Sequence, residues 1–123
     1  MIRITDILEK IYEYSPDADV SLIDRAYIYS AQVHEGQIRL SGEPYLSHPL
    51  EVANILAEMK LDVESIAAAL LHDVIEDTPA TKEDISDMFG PGVAHIVEGV
   101  TKLTALHATT KVAQQAESLR KMI

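Results

Sequence analysis

The chain has 123 residues, enough for one domain with a single core. Apolar residues make up 47% and charged residues 24%, which is typical of a globular protein and excludes a largely disordered one. The formal net charge of −10 argues against a DNA- or RNA-binding surface, since phosphate contacts need clustered Lys and Arg. No cysteine is present, so disulfide and thiol chemistry are excluded.

Membrane insertion and export are not expected. The chain has no run of about 18 apolar residues, the minimum for a membrane-spanning helix. Its first six residues, MIRITD, lack the apolar segment of a signal peptide. We therefore expect a cytoplasmic protein without a membrane partner, and homo-oligomerisation stays open.

Helical periodicity recurs along the chain, and no strand-like alternation of useful length occurs. A first helix is predicted from Thr5 to Tyr14, ended by Ser15-Pro16. A second starts near Ser21, with Gly36 as a C-terminal cap. The residues of these helices predicted to face the core are Ile7, Leu8, Ile11, Tyr12, Leu22, Ile23, Ala26, Tyr27 and Ala31.

An irregular, mostly polar segment, 36–47, separates the second helix from the third. Pro49 fits the first position of that third helix, which makes His48 its N-cap. A fourth helix is predicted from the cap Asp62 to near Thr78-Pro79, and its interior, 66–71, is apolar all round, as in central buried helices. The third helix is expected to bury Leu50, Ala53, Leu56 and Met59.

Thr81 and Asp84 form the sequence pattern of a capping box, which predicts a short fifth helix. Gly90-Pro91 separates it from a sixth, from Val93 to about Leu103, and a mostly polar last helix is predicted over 111–122. The prediction is a single all-α domain, 1–123, of six to seven helices. Its polar C-terminal end favours a piece cut from a longer protein.

Four polar residues end the apolar fourth helix: His72, Asp73, Glu76 and Asp77. Their spacing places them on one helical face, where neighbouring acids repel unless a cation compensates them. With His48, they predict a divalent-metal site, and imidazole plus carboxylate suits Mn, Fe, Zn or Ni more than Ca. The metal would lower the pKa of a bound water and polarise a phosphoryl oxygen, while an acid one turn on could orient or deprotonate that water.

Taken singly, these residues have structural explanations. His48 alone is more often an N-cap or loop residue, and an isolated His-Asp pair is common. A second polar group could contact a nucleotide, since an arginine in a glycine-containing loop can stack on a base or bind phosphate. That group is Arg39, Ser41, Tyr45 and Lys102, with exposed surface positions as the alternative. The other histidines are expected in a loop or cap (His34), partly buried (His95) and exposed (His107).

Several segments, in order, resemble the motifs of the RelA/SpoT hydrolase domain family. They are 34–49 (HEGQIRLSGEPYLSHP), 71–78 (LHDVIEDT), 89–90 (FG), 99–103 (GVTKL) and 115–122 (QAESLRKM). The match extends from about Asp24 onward. The resemblance implies an HD-domain helical bundle that hydrolyses guanosine tetra- and pentaphosphate (ppGpp and pppGpp) with Mn²⁺. This stringent-response reaction removes the 3′-pyrophosphate and leaves GDP or GTP.

By motif position, the resemblance implies one role for each of three groups. The metal ligands are His48, His72 and Asp73; Glu76 and Asp77 position or activate water; and Arg39 and Ser41 belong to the guanine-nucleotide pocket, which we extend to Tyr45 and Lys102.

Two departures from the family pattern are visible. Leu40 stands where the family usually has lysine, which weakens the phosphate contact expected there. The family also continues beyond 120–122 (RKM), into a helix with a further Asp ligand and an Asn near the substrate. We therefore expect a fragment that by itself binds metal weakly or not at all. The alternatives are a catalytically incomplete regulatory module that binds nucleotide, and an HD phosphohydrolase for another nucleotide.

Overall fold

The computed structural model describes residues 2–35 and 45–102. These residues contain helices and no strand, which confirms the all-α prediction. The helices are α1 (Ile4–Tyr14), α2 (Ser21–Val33), α3 (Ser47–Glu58), α4 (Val63–Leu71), α5 (Val74–Asp77), α6 (Lys82–Phe89) and α7 (91–102). None of the described helices combines the length and apolar character that a membrane span requires.

Helix α4 is the central element of the core. Every side chain from Ile66 to Leu71 is buried, as its unbroken apolar sequence predicted. The helix packs against both α2 and α3, and α1 packs against α3. Ile7 and Ile11 of α1, together with Ile23 of α2, are fully buried in the same cluster. Because α4 lies between α2 and α3, its C-terminal end lies next to residues of both helices.

Two predicted helix starts are confirmed by their caps. The Asp62 side chain accepts a hydrogen bond from the Ser65 backbone N–H at 3.3 Å, at the start of α4. At the start of α6, Thr81 and Asp84 bond each other's backbone N–H groups, at 3.2 and 2.9 Å. Each cap satisfies a donor that the helix itself leaves unpaired. Local sequence therefore fixes both starts.

Two predicted helix boundaries near the polar cluster are wrong. The predicted fourth helix does not continue to Thr78: α4 ends at Leu71, and a turn precedes the four-residue α5. The backbone departs from ideal helical geometry at Asp73, where φ is −96° and ψ is −3°. His48 is not an N-cap either, because Leu46 already accepts a helical hydrogen bond from Leu50 N–H and the helix begins at Ser47.

Three predicted burials are also wrong. Tyr12 is 46% exposed, because the buried face of α1 consists of Ile7 and Ile11 and does not extend to Tyr12. Met59 is 64% exposed, since it lies past the last turn of α3, and His95 is exposed on α7. Several predictions fall outside the described residues: the Gly36 cap, most of the 36–47 segment, Arg39, Ser41, His107 and the helix over 111–122.

Candidate metal centre

The three predicted metal ligands come together where α4 ends. The apolar run stops at Leu71, and His72 and Asp73 form the turn into α5. His48 lies in the first turn of α3, and the packing of α3 on α4 brings its ring to 5.4 Å from the His72 ring, between centroids. One ligand atom from each of the three half-buried residues lies within 4.8 Å of the other two.

These separations suit a single divalent ion. Nitrogen and oxygen ligands lie about 2.1 Å from an ion such as zinc, so two ligands at right angles are about 3.0 Å apart and two opposite ligands about 4.2 Å apart. The Nε2 atom of His72 is 3.1 Å from Asp73 Oδ2, close to the right-angle separation. Small side-chain rotations would bring His48 into the same coordination sphere.

The protonation of His72 is set by the backbone of α4. Its Nδ1 atom lies 2.6 Å from the Ala69 carbonyl oxygen, which can only accept a hydrogen bond, so Nδ1 carries the hydrogen. In the neutral ring, Nε2 then presents a lone pair to the Asp73 carboxylate. Two acceptors at this distance repel each other unless a proton or a cation lies between them. A histidine oriented through its second nitrogen is typical of metal sites.

The pKa values of His72 and Asp73 also indicate that positive charge is favoured between the two side chains. Burial, the largest single influence, lowers the pKa of His72. The hydrogen bonds to Asp73 and Ala69 and the charges of Asp73 and Glu76 together outweigh it, so the pKa is raised. Burial alone would raise the pKa of Asp73, yet the hydrogen bond and charge of His72, with a contribution from His48, lower it. Both shifts show that neighbouring positive charge stabilises the Asp73 carboxylate.

Glu76 and Asp77 lie one turn further on, in α5, and both are exposed. Neither belongs to the three-ligand cluster. The charge of Glu76 helps to raise the pKa of His72, so its carboxylate acts on the cluster electrostatically. Asp77 accepts a hydrogen bond from the Tyr45 hydroxyl. The roles of both acids toward water stay predictions.

Tyr45 connects this acidic turn to the end of α2. Its ring stacks on His34, with 3.7 Å between the ring centroids and 23° between the planes. His34 is the C-cap of α2, as the sequence predicted, and is 4% exposed. Burial first, and then the hydrogen bond to Asp77, raise the pKa of the Tyr45 phenol, so the hydroxyl is protonated at neutral pH. Sequence reasoning missed both contacts of Tyr45, because no spacing rule links these positions.

Lys102, predicted to contact substrate, is exposed on α7. Its ammonium group pairs with Glu98 at 3.0 Å, one helical turn earlier. Glu98 also pairs with Lys82 of α6, so it links two helices. In the described part of the chain, Lys102 contacts none of the three metal ligands, and its substrate role stays a prediction.

A family model described as "HD domain" matches residues 26–123, most of the chain. The chain belongs to the HD domain family. The match includes the three clustered ligands, among them the adjacent His72 and Asp73. The domain boundary over the whole of 1–123 stays a prediction.

This HD domain is similar to long bacterial proteins. The GTP pyrophosphokinase of Myxococcus xanthus is 57% identical, over 92% of this chain and 15% of that protein. The bifunctional (p)ppGpp synthase/hydrolase SpoT of Escherichia coli K12 is 55% identical, over 92% of this chain and 16% of that protein. The resemblance to RelA/SpoT proteins is confirmed, and the chain spans about a sixth of the length of these relatives.

A solved structure supports the same relationship. It is described as "A metazoan ortholog of SpoT hydrolyzes ppGpp and plays a role in starvation responses". The two structures align with a TM-score of 0.61 and 38% sequence identity, over 65% of this chain and 47% of the other. The HD helical bundle predicted from the motifs is therefore the fold of this chain.

Proposed function

We propose that this HD domain is a divalent-metal phosphohydrolase that removes the 3′-pyrophosphate of guanosine tetra- or pentaphosphate and releases GDP or GTP. The observation that carries the proposal is the cluster of His48, His72 and Asp73, in which two acceptors face each other when the His72 ring is neutral. The names of SpoT-like relatives supply the substrate class. The proposed domain is the whole of 1–123.

The donor set of the cluster fits a transition-metal ion. Two imidazoles and one carboxylate suit Mn, Fe, Zn or Ni, and we propose Mn²⁺. When bound, the cation would polarise a phosphoryl oxygen and stabilise the charge that develops on it. The chain's own contribution is orientation: the Ala69 carbonyl fixes the His72 ring, and the turn before α5 aims Asp73 at the same point.

The remaining candidate residues are proposed to activate the attacking water or to bind the nucleotide. Glu76 and Asp77, which follow the cluster in α5, are proposed to orient a water molecule and accept its proton during attack on phosphorus. Arg39 and Ser41 are proposed to bind the guanine nucleotide, with Lys102 contributing positive charge. Such cations are needed because a chain of net charge −10 otherwise repels a polyphosphate.

The proposal is tested by measuring pyrophosphate and GDP together after incubation of the chain with Mn²⁺ and guanosine tetraphosphate. We expect equal amounts of the two products at saturating Mn²⁺, a concentration that offsets the weak binding expected of three ligands, and no release in the presence of a chelator. The contradicting result is tight nucleotide and Mn²⁺ binding by calorimetry without any pyrophosphate. That result would identify a regulatory module that binds nucleotide without turnover.

A further inference from the structure

The hydroxyl of Tyr45 lies between two carboxylates with different proposed tasks. It donates a hydrogen bond to Asp77 Oδ2, and it also interacts with Asp73, one of the three metal ligands. Tyr45 comes just before α3, whereas Asp73 precedes α5 and Asp77 is its last residue. One hydroxyl therefore connects the metal cluster to an acid proposed to act on water.

The position of that hydroxyl is fixed from the other side of the ring. Tyr45 stacks on His34, and His34 is buried at the end of α2. A stacked ring loses most of its freedom before it forms any hydrogen bond, so the hydroxyl is held where the carboxylates need it. In contrast, Asp77 is exposed at the end of a four-residue helix, where its own backbone restrains it little.

We propose that Tyr45 is a positioning residue: its hydroxyl sets the distance between Asp77 and the metal ligand Asp73, and it does not contact the nucleotide. This inference rests on the proposed function, because it assigns Tyr45 to the hydrolytic step of that reaction. A phenol has one proton, so it donates fully to one carboxylate at a time. Once Asp73 binds a cation, the proton is left to Asp77.

This assignment differs from the substrate contact that the sequence predicted for Tyr45. A residue that binds nucleotide acts mainly on KM, whereas one that holds Asp77 acts on kcat. A residue that acts only through Asp77 also has no effect once Asp77 is gone. These two differences decide the experiment.

The experiment compares Mn²⁺-loaded wild type with Tyr45→Phe, Asp77→Ala and the double variant, using guanosine tetraphosphate. The phenylalanine keeps the ring that stacks on His34 and removes only the hydroxyl. We expect Tyr45→Phe to lower kcat by about 10- to 100-fold, the usual loss when an outer partner of a metal site is removed. KM and Mn²⁺ affinity of Tyr45→Phe should stay within about twofold of the wild-type values. Adding Tyr45→Phe to Asp77→Ala should change kcat by no more than about twofold relative to Asp77→Ala alone.

Tyr14→Phe is the matched control. It also removes one phenol hydroxyl, which donates to the Leu61 carbonyl at 2.7 Å, where α1 packs on α3. This variant should keep the wild-type kcat. A thermal melt of each protein shows whether the fold survives, and a crystal structure of Mn²⁺-loaded Tyr45→Phe should show the Asp77 carboxylate turned away from Asp73.

Four results would overturn the positioning role. A raised KM with unchanged kcat would make Tyr45 a nucleotide contact. Independent, multiplying losses in the double variant would show that Tyr45 does not act through Asp77. An active wild type with an equally active Tyr45→Phe would exclude the positioning role alone, whereas an inactive wild type would remove the proposed hydrolysis and the positioning role together.

Discussion

At the junction of α4 and α5, the Nε2 atom of His72 faces a carboxylate oxygen of Asp73 at 3.1 Å. The Ala69 carbonyl holds the ring hydrogen on the other nitrogen, so in the neutral ring both facing atoms are acceptors. His48 adds a second imidazole to the same point. A positive charge stabilises this arrangement, and the three side chains could hold a metal ion.

Replacing Asp73 with alanine tests this arrangement. Loss of an outer partner of a metal site costs about 10- to 100-fold in affinity or activity, so removal of a direct ligand should cost more than about 100-fold in both. The fold should persist, because Asp73 is half-buried and outside the apolar core. Mn²⁺ titration calorimetry, the pyrophosphate assay and circular dichroism measure the three quantities.

Asp17→Ala is the control for the change in charge. Asp17 is exposed in the turn between α1 and α2, and its replacement removes the same single negative charge. We expect wild-type Mn²⁺ affinity and activity from it. If both variants lose affinity equally, the net charge of the chain and not the ligand cluster governs cation binding.

The end of α3 shows how a helix stops without glycine. Lys60 has φ of 61°, in the left-handed region that side chains rarely occupy. The Leu61 N–H donates to the Leu56 carbonyl and the Lys60 N–H to the Ala57 carbonyl, at 3.1 and 3.0 Å. This is the hydrogen-bond pattern of a Schellman motif, in which glycine is the usual residue at the left-handed position.

Lys60→Gly should therefore stabilise the fold. Release of the left-handed strain outweighs the greater freedom of glycine in the unfolded chain, and the expected gain is about 0.5–1 kcal/mol. Urea unfolding at neutral pH measures it. Lys60→Ala is the matched variant, since it removes the charge and keeps the Cβ atom; a gain as large as that of glycine would show that the charge caused the effect.

The buried helix α4 ends at Leu71, directly before the candidate metal ligands His72 and Asp73. Leu70 is fully buried between α2 and α3, so Leu70→Ala should cost about 2–5 kcal/mol of unfolding free energy through lost burial and the cavity left behind. Ile55 of α3 is 53% exposed, and Ile55→Ala should change stability by less than about 0.5 kcal/mol. Equal losses in urea unfolding would contradict the central place of α4.

Across the whole molecule, features coded locally were predictable and those made by long-range contacts were not. The caps at Asp62 and Thr81 and the burial of 66–71 follow from neighbouring residues. The clustering of His48, His72 and Asp73 was predictable from motif order, and their role as ligands stays a prediction. The break at His72-Asp73 was missed because helical periodicity continues through it, since α5 resumes immediately.

The missed contacts join distant parts of the chain. Tyr45 and Asp77 are 32 positions apart, and their hydrogen bond depends on how α3 packs on α4. The pair formed by Lys82 and Glu98 likewise requires α6 and α7 to be in place. No single-sequence pattern contains such information, because a lysine or glutamate on an exposed helical face has many available partners.

Glu98 makes the stability of the folded chain depend on pH. Its hydrogen bonds to Lys82 and then Lys102 lower its pKa from 4.5 to about 2. The unfolded chain therefore takes up this proton first, so the stabilisation is present above pH 4.5 and is lost as the pH falls toward 2. Glu98→Gln should flatten the dependence of Tm on pH over this range at low salt.

Salt supplies the control for that experiment. The Glu98 pairs are exposed, so about 0.5 M NaCl should screen them and bring the wild-type and Glu98→Gln curves together. Identical curves at low salt would contradict the link between α6 and α7 through this carboxylate. Tm is read from circular dichroism at 222 nm, a wavelength that reports helix loss at about equal sensitivity throughout an all-α fold.

The most direct test of the account is anomalous scattering at the manganese absorption edge from crystals of the chain grown with Mn²⁺. The account predicts one strong peak within about 2.3 Å of ligand atoms from His48, His72 and Asp73, with the His72 Nδ1 hydrogen bond to Ala69 intact. No peak at this point, in crystals that show manganese bound elsewhere on the chain, would contradict it.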